Sequence, residues 1–104
     1  MASISGADVK HLVVACEAGM GSSVMVAKQI AKQLKDTNIQ VTHTPVNQLA
    51  DATFDVVLCH RGLSSRAKQA APGAVVVIFD MFLGDFRIAQ LVSDLKEGNE
   101  IVGD

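Results

Sequence analysis

At 104 residues the chain is long enough for one hydrophobic core and too short for two, so a single domain with no linker is expected. Hydrophobic residues make up 49%, the formal net charge is -2, and the charges are scattered with no basic stripe, which argues against nucleic acid as a partner. The longest apolar runs are strand-sized, far short of the roughly 18 residues that a membrane-spanning helix requires, and two cysteines do not make a disulfide framework.

In chain order, the start "MASISGADVK" is small and polar and lacks an apolar signal-peptide core. It reads as a flexible leader over residues 1–9 of a cytoplasmic protein. Four strand segments follow from short β-branched or apolar runs: Lys10 to Ala15, Ile39 to Thr44, Phe54 to Cys59 and Ala74 to Phe79. The first, third and fourth are nearly continuous in apolar residues, the pattern of parallel strands covered on both faces. The second, "IQVTHT", alternates and fits an edge. Between them, Gly21 to Lys35 has helical spacing, with Val24, Ala27, Ile30, Ala31 and Leu34 on one face. A short helix from Ser64 to Ala71 stops at Pro72 and Gly73, because proline cannot continue the hydrogen-bond ladder. A last helix, about Gly84 to Glu97, turns Ile88, Leu91, Val92 and Leu95 inward and ends at Gly98, leaving 99–104 as a loose tail. Strands alternating with helices imply βαβ units, right-handed crossovers and a parallel sheet with helices on both faces, an α/β fold.

In open sheets of that kind, ligands bind outside the carboxyl ends of the strands where the strand order reverses. Cys16 directly follows the first strand, and "CEAGMGSS" follows from it. Gly19 and Gly21 let the backbone approach a ligand closely. The loop amides, with the unsatisfied N–H groups opening the next helix, form a donor site where the helix dipole favours negative charge. The same field lowers a thiol pKa, so Cys16 is expected to be partly thiolate and a competent nucleophile. The chemistry that follows is attack of sulfur on phosphorus, with the phosphoryl oxygens held by backbone N–H groups. Glu17, Ala18, Gly19, Met20, Gly21, Ser22 and Ser23 form that cradle, the two serines adding hydroxyl donors or capping the helix. The structural alternative is that Cys16 is a small buried residue and the glycines make a turn. "GMGSSV" lacks the third glycine of a dinucleotide fingerprint, and the loop lacks the lysine of a nucleoside-triphosphate loop. No metal, nucleotide or other cofactor is called for.

The segment "VACEAGMGSS", together with "CHRGL" after the third strand, closely resembles the IIB domain of the bacterial sugar phosphotransferase system, mannitol type. The resemblance covers most of the chain in the order of its elements. It implies a four-stranded parallel sheet in the order 2-1-3-4 with three helices, a three-layer, flavodoxin-like half. It also implies that a phosphoryl group passes from a phosphohistidine of a IIA partner to Cys16, then to a sugar or sugar alcohol bound by the membrane IIC partner. The domain would then meet the inner face of the membrane transiently, through IIC. Glu17 stands where an aspartate is expected in that family, with the charge retained. Low-molecular-weight tyrosine phosphatases share a related loop, with a cysteine, five residues and an arginine. Here Ser22 occupies the arginine position, which removes the charge-assisted clamp expected of an efficient hydrolase.

Other residues remain open on sequence grounds. His60 and Arg61 follow the third strand and are candidates for accessory phosphate or partner contacts, or for simply ordering "HRGLSSR". Arg66 reads as a solvated surface residue. Asp80 ends the fourth strand, roughly where tyrosine phosphatases keep their general acid, but Met81 stands in place of the proline that usually follows there, and capping the last segment is the favoured role. Cys59 either packs in the core or resolves a Cys16 disulfide in a thiol redox protein. His11 and His43 read as structural or solvated, and Met20, Val24 and Met25 as a docking surface or core.

Overall fold

β-branched side chains fit a pleated surface buried on both sides, and such residues build the centre of the sheet. A computed structural model describes residues 3–16, 22–46, 49, 54–71, 73–80 and 86–103. Its strands are β1 (Ser3–Ser5), β2 (His11–Cys16), β3 (Gln40–Pro45), β4 (Val56–His60), β5 (Val75–Phe79) and β6 (Glu100–Val102). The helices are α1 (Ser22–Gln33), α2 (Ser64–Ala70) and α3 (Phe86–Glu97). Four strands form a parallel sheet in the order β3-β2-β4-β5. This is the expected order once β1 is counted, with β3 on the expected edge.

Alternation along the strands splits the core into two clusters. On one face Leu12, Val14, Val56, Leu58, Val75, Val77 and Phe79 pack with Val26, Ala27 and Ile30 of α1 and Leu91, Val92 and Leu95 of α3. On the other face Val13, Ala15, Val57, Cys59, Val76 and Ile78 meet Leu63, Ala67 of α2, Val46 and Leu49. The result is three layers, with α1 and α3 on one side of the sheet and α2 on the other. The apolar stripe of α1 is rotated from the expected one: Val26 is buried, Val24 is half-buried and Ala31 is exposed. Leu34 lies one residue beyond the helix, buried, and its carbonyl accepts from the Thr37 hydroxyl at 2.6 Å and the Thr37 N–H at 2.9 Å, which closes the last turn.

The leader and the tail differ from expectation. Ser3–Ser5 pairs antiparallel with Glu100–Val102, Ile4 facing Ile101 across the ribbon. Ile101 is buried and Ile4 packs beside it on the α1/α3 cluster. β1 offers one apolar residue between two serines and β6 only the pair Ile101 and Val102, patterns too short to mark a strand until the distant partner is present.

At the amino edge of the sheet, Asp55 ties three strands together. Its carboxylate accepts from the N–H groups of Lys10 at 2.8 Å and His11 at 3.0 Å. Its own N–H donates to the His11 carbonyl, and its carbonyl accepts from Val75. His11 bonds the Thr42 hydroxyl through Nε2 at 2.9 Å and lies edge-on to Phe54, a structural role as expected. His43 is exposed on β3.

Candidate functional site

The carboxyl edge of the sheet gathers the residues that the sequence singled out. Cys16 is the last residue of β2 and lies in register with Pro45 of β3. On the other side of β2, Ala15 lies opposite Cys59, so the next step along both parallel strands brings position 16 beside His60. His60 in turn lies opposite Phe79. β2 is interior, with α1 beginning at Ser22 after it, so Cys16 stands at the crevice where successive connections leave toward opposite sides of the sheet. The unpaired amides and the dipole of the first turn of a helix favour an anion near its start. Of the expected cradle, Glu17, Ala18, Gly19, Met20 and Gly21 lie outside the described residues, and Ser22 and Ser23 are placed as the first two residues of α1.

Beyond Cys16 the edge is polar. Arg61 grips Asp80 with two hydrogen bonds, Nε to Oδ1 at 2.6 Å and Nη2 to Oδ2 at 3.2 Å. His60 is tied through both ring nitrogens. Nδ1 accepts from the Gly62 N–H at 3.2 Å, which leaves Nε2 as the protonated nitrogen that donates to the Asp80 carbonyl at 3.1 Å. The ring also stands edge-on to Phe79, with centroids 5.8 Å apart. His60 thus opens a 3-10 turn (Arg61–Leu63) that leads into α2, and the Ser64 hydroxyl donates to the Arg61 carbonyl at 2.9 Å.

The accessory candidates His60 and Arg61 are therefore brought to the same edge as Cys16. Asp80 joins them, with its carboxylate on Arg61; the segment 81–85 that it was expected to cap lies outside the described residues. Sequence reasoning missed the Arg61–Asp80 pair. The available signal was that "VVLCHR" and "VVVIFD" are neighbouring parallel strands that end in opposite charges. Cys59 is fully buried in the α2-side cluster with Val13 and Ala15, the parity opposite to Leu12 and Val14. Met25 is 39% exposed, which removes it from the core, and Arg66 is exposed. Among the described residues, no cluster of three or more His, Cys, Asp or Glu side chains is arranged to hold a metal, and no helix is long and apolar enough to cross a membrane.

An open parallel sheet that places a cysteine at the carboxyl end of an interior strand, with five residues between it and the start of a helix, defines an α/β domain of flavodoxin-like topology. Comparison with known proteins narrows the class. Residues 11–94 match the family model described as "PTS system, Lactose/Cellobiose specific IIB subunit". The mannitol-specific EIICB component of Staphylococcus carnosus is 36% identical over 96 residues, which cover 89% of this chain and 18% of that protein. The corresponding EIICB component of Geobacillus stearothermophilus is 39% identical over 93 residues, covering 88% of this chain and 20% of that protein. The mannitol-specific EIICBA component of Vibrio cholerae is 39% identical over 94 residues, covering 88% and 14%. The chain belongs to the IIB family of the sugar phosphotransferase system, and its sequence is of the mannitol type. It spans a fifth or less of the length of these curated relatives.

Proposed function

We propose that this chain is a phosphocarrier: Cys16 accepts a phosphoryl group from a phosphohistidine of a IIA partner and passes it to a sugar or sugar alcohol held by a membrane IIC partner. The observation that carries the reading is the position of Cys16 at the end of an interior strand, with five residues between it and the start of α1, in a chain of the IIB family. In the first half-reaction the Cys16 thiolate attacks phosphorus, forming the S–P bond as the P–N bond breaks. The electron pair of that bond returns to the imidazole, which leaves neutral if the donor ring carried a proton. Backbone N–H groups of residues 17–23 and the start of α1 hold the phosphoryl oxygens.

Two features favour a carrier over its competitors. Ser22 stands where a hydrolase of similar loop spacing has arginine, so no guanidinium within the loop promotes attack by water. Burial of Cys59 in an apolar cluster suits packing rather than disulfide exchange, which needs an accessible sulfur. The relatives' names join IIC with IIB, and in one case IIA as well, which makes IIA and IIC the natural partners. Those names also make mannitol the first acceptor to try, although the sugar would be bound by IIC and not by this domain. Contact with the membrane would be transient and through IIC, since a carrier serving two partners must leave each quickly.

The test is the complete relay. Labelled phosphorylated IIA, membranes containing a mannitol IIC domain and mannitol are combined with the wild-type chain or Cys16→Ser. Labelled sugar phosphate forming only with the wild type supports the reading. Equal formation with Cys16→Ser, or rapid release of inorganic phosphate in place of sugar phosphate, refutes it.

A further inference from the structure

The relay gives no task to Asp80, yet the structure builds a fixed mount for it. His60 holds the Asp80 carbonyl through Nε2 while its other nitrogen accepts from Gly62, so the backbone of Asp80 is tied to the end of β4. The carboxylate then takes Arg61 in a two-point grip. Arg61 follows the residue that neighbours position 16, one strand spacing of about 4.8 Å away. Its guanidinium is drawn the other way, toward the end of β5, and β5 lies on the far side of β4 from β2. The two side chains are 62% and 54% exposed, so the pair is open to exchange with another anion at the same edge.

We propose that Asp80 is a positioning residue for phosphoryl transfer: it holds Arg61 on the β5 side while Cys16 is unloaded, and it competes with the phosphoryl group of phosphocysteine for that guanidinium. The inference rests on the phosphocarrier reading. A phosphoryl dianion on Cys16 is a stronger acceptor for an arginine fork than a single carboxylate. With the Asp80 carboxylate removed, Arg61 would deepen the phosphocysteine state and slow its discharge. Asp80 keeps the loaded state from becoming a trap, and Arg61 still supplies a cation as charge arrives.

The experiment measures the equilibrium of phosphoryl exchange between phosphorylated IIA and this chain, by intact mass, for the wild type, Asp80→Asn, Arg61→Gln and the double variant. Asp80→Asn is expected to shift the equilibrium toward phosphocysteine by about two- to fivefold, the range of exposed charge pairs. Arg61→Gln shifts it the opposite way, and the double variant behaves as Arg61→Gln alone. Asp80→Glu, which keeps the carboxylate, returns the balance toward the wild type. A Cys16 adduct whose equilibrium is unchanged by Asp80→Asn, or is shifted equally with and without Arg61, overturns this inference and leaves the carrier reading standing. Absence of any adduct on the wild type overturns both.

Discussion

Replacing Gly6 with alanine tests whether the terminal ribbon belongs to the fold. Gly6 is buried, and its N–H donates to the Asn99 carbonyl at 2.7 Å. A Cβ at this position would lie 2.7 Å from the Asn99 oxygen and 2.7 Å from the Asp94 oxygen. Both are backbone atoms and cannot rotate aside. The Asp94 oxygen is further fixed as acceptor of the Asn99 N–H at 2.9 Å, where α3 ends through Gly98 at φ 74°. The chain can relieve the clash by strain, costing about 1–3 kcal/mol. The other route is to release the ribbon, which forfeits Ile101, 3% exposed, and part of Ile4; a fully buried side chain of this size is worth about 1.5–3 kcal/mol. The smaller cost governs, so the expected loss is about 2 kcal/mol, a fall of roughly 8–16 °C in Tm for a domain of this size. Thermal unfolding reads the loss, and hydrogen exchange at residues 3–6 and 99–102 reads its location. The C-terminal end of α3 lies at the amino edge of the sheet, away from Cys16, so phosphorylation at low temperature is expected to survive. A Tm within about 2 °C of the wild type would refute the claim that the ends are packed into the core.

Two further substitutions test the scaffold around the site. Asp55→Ala removes the acceptor of the Lys10 and His11 amides, and because these groups are partly exposed, water recovers some of the loss. A drop of about 1–2 kcal/mol in urea unfolding is expected, and an unchanged midpoint would show that the carboxylate does not anchor β2. Cys59→Ala leaves a small void in the α2-side cluster and is expected to cost about 1 kcal/mol. Its phosphoryl acceptance should equal the wild type, and loss of acceptance by a folded variant would return Cys59 to the chemistry.

The sheet was readable because its order depends on signals carried within each segment. "LVVA", "DVVLC" and "AVVVIF" are apolar on both faces and "IQVTHT" is not, and the strands start within a residue or two of where those runs place them. The first helix was readable in position but not in rotation. Val24 and Ala31 fit the same stripe as Ala27 and Ile30 on spacing, and only the neighbouring β3 and β2 decide that Val26 is the buried one. The ribbon was not readable, since Ile4 and Ile101 are almost the whole chain apart and each lies in a run of only one or two apolar residues. Cys16 stood out as a candidate because the sequence around it changes character abruptly, from an apolar run to small residues. The Arg61–Asp80 grip was hidden for the opposite reason: each residue has an ordinary local role, and their meeting depends on β4 and β5 being adjacent and in register.

In the carrier reading Cys16 holds the phosphoryl group between its two partners. Intact-mass spectrometry at mildly alkaline pH, after incubation with phosphorylated IIA, reads this directly on the wild type, Cys16→Ser and Cys59→Ser. One phosphoryl adduct is expected on the wild type and on Cys59→Ser, stable on the time scale of the measurement and absent from Cys16→Ser. An adduct that persists in Cys16→Ser, or none on the wild type beside an intact donor, would contradict that reading.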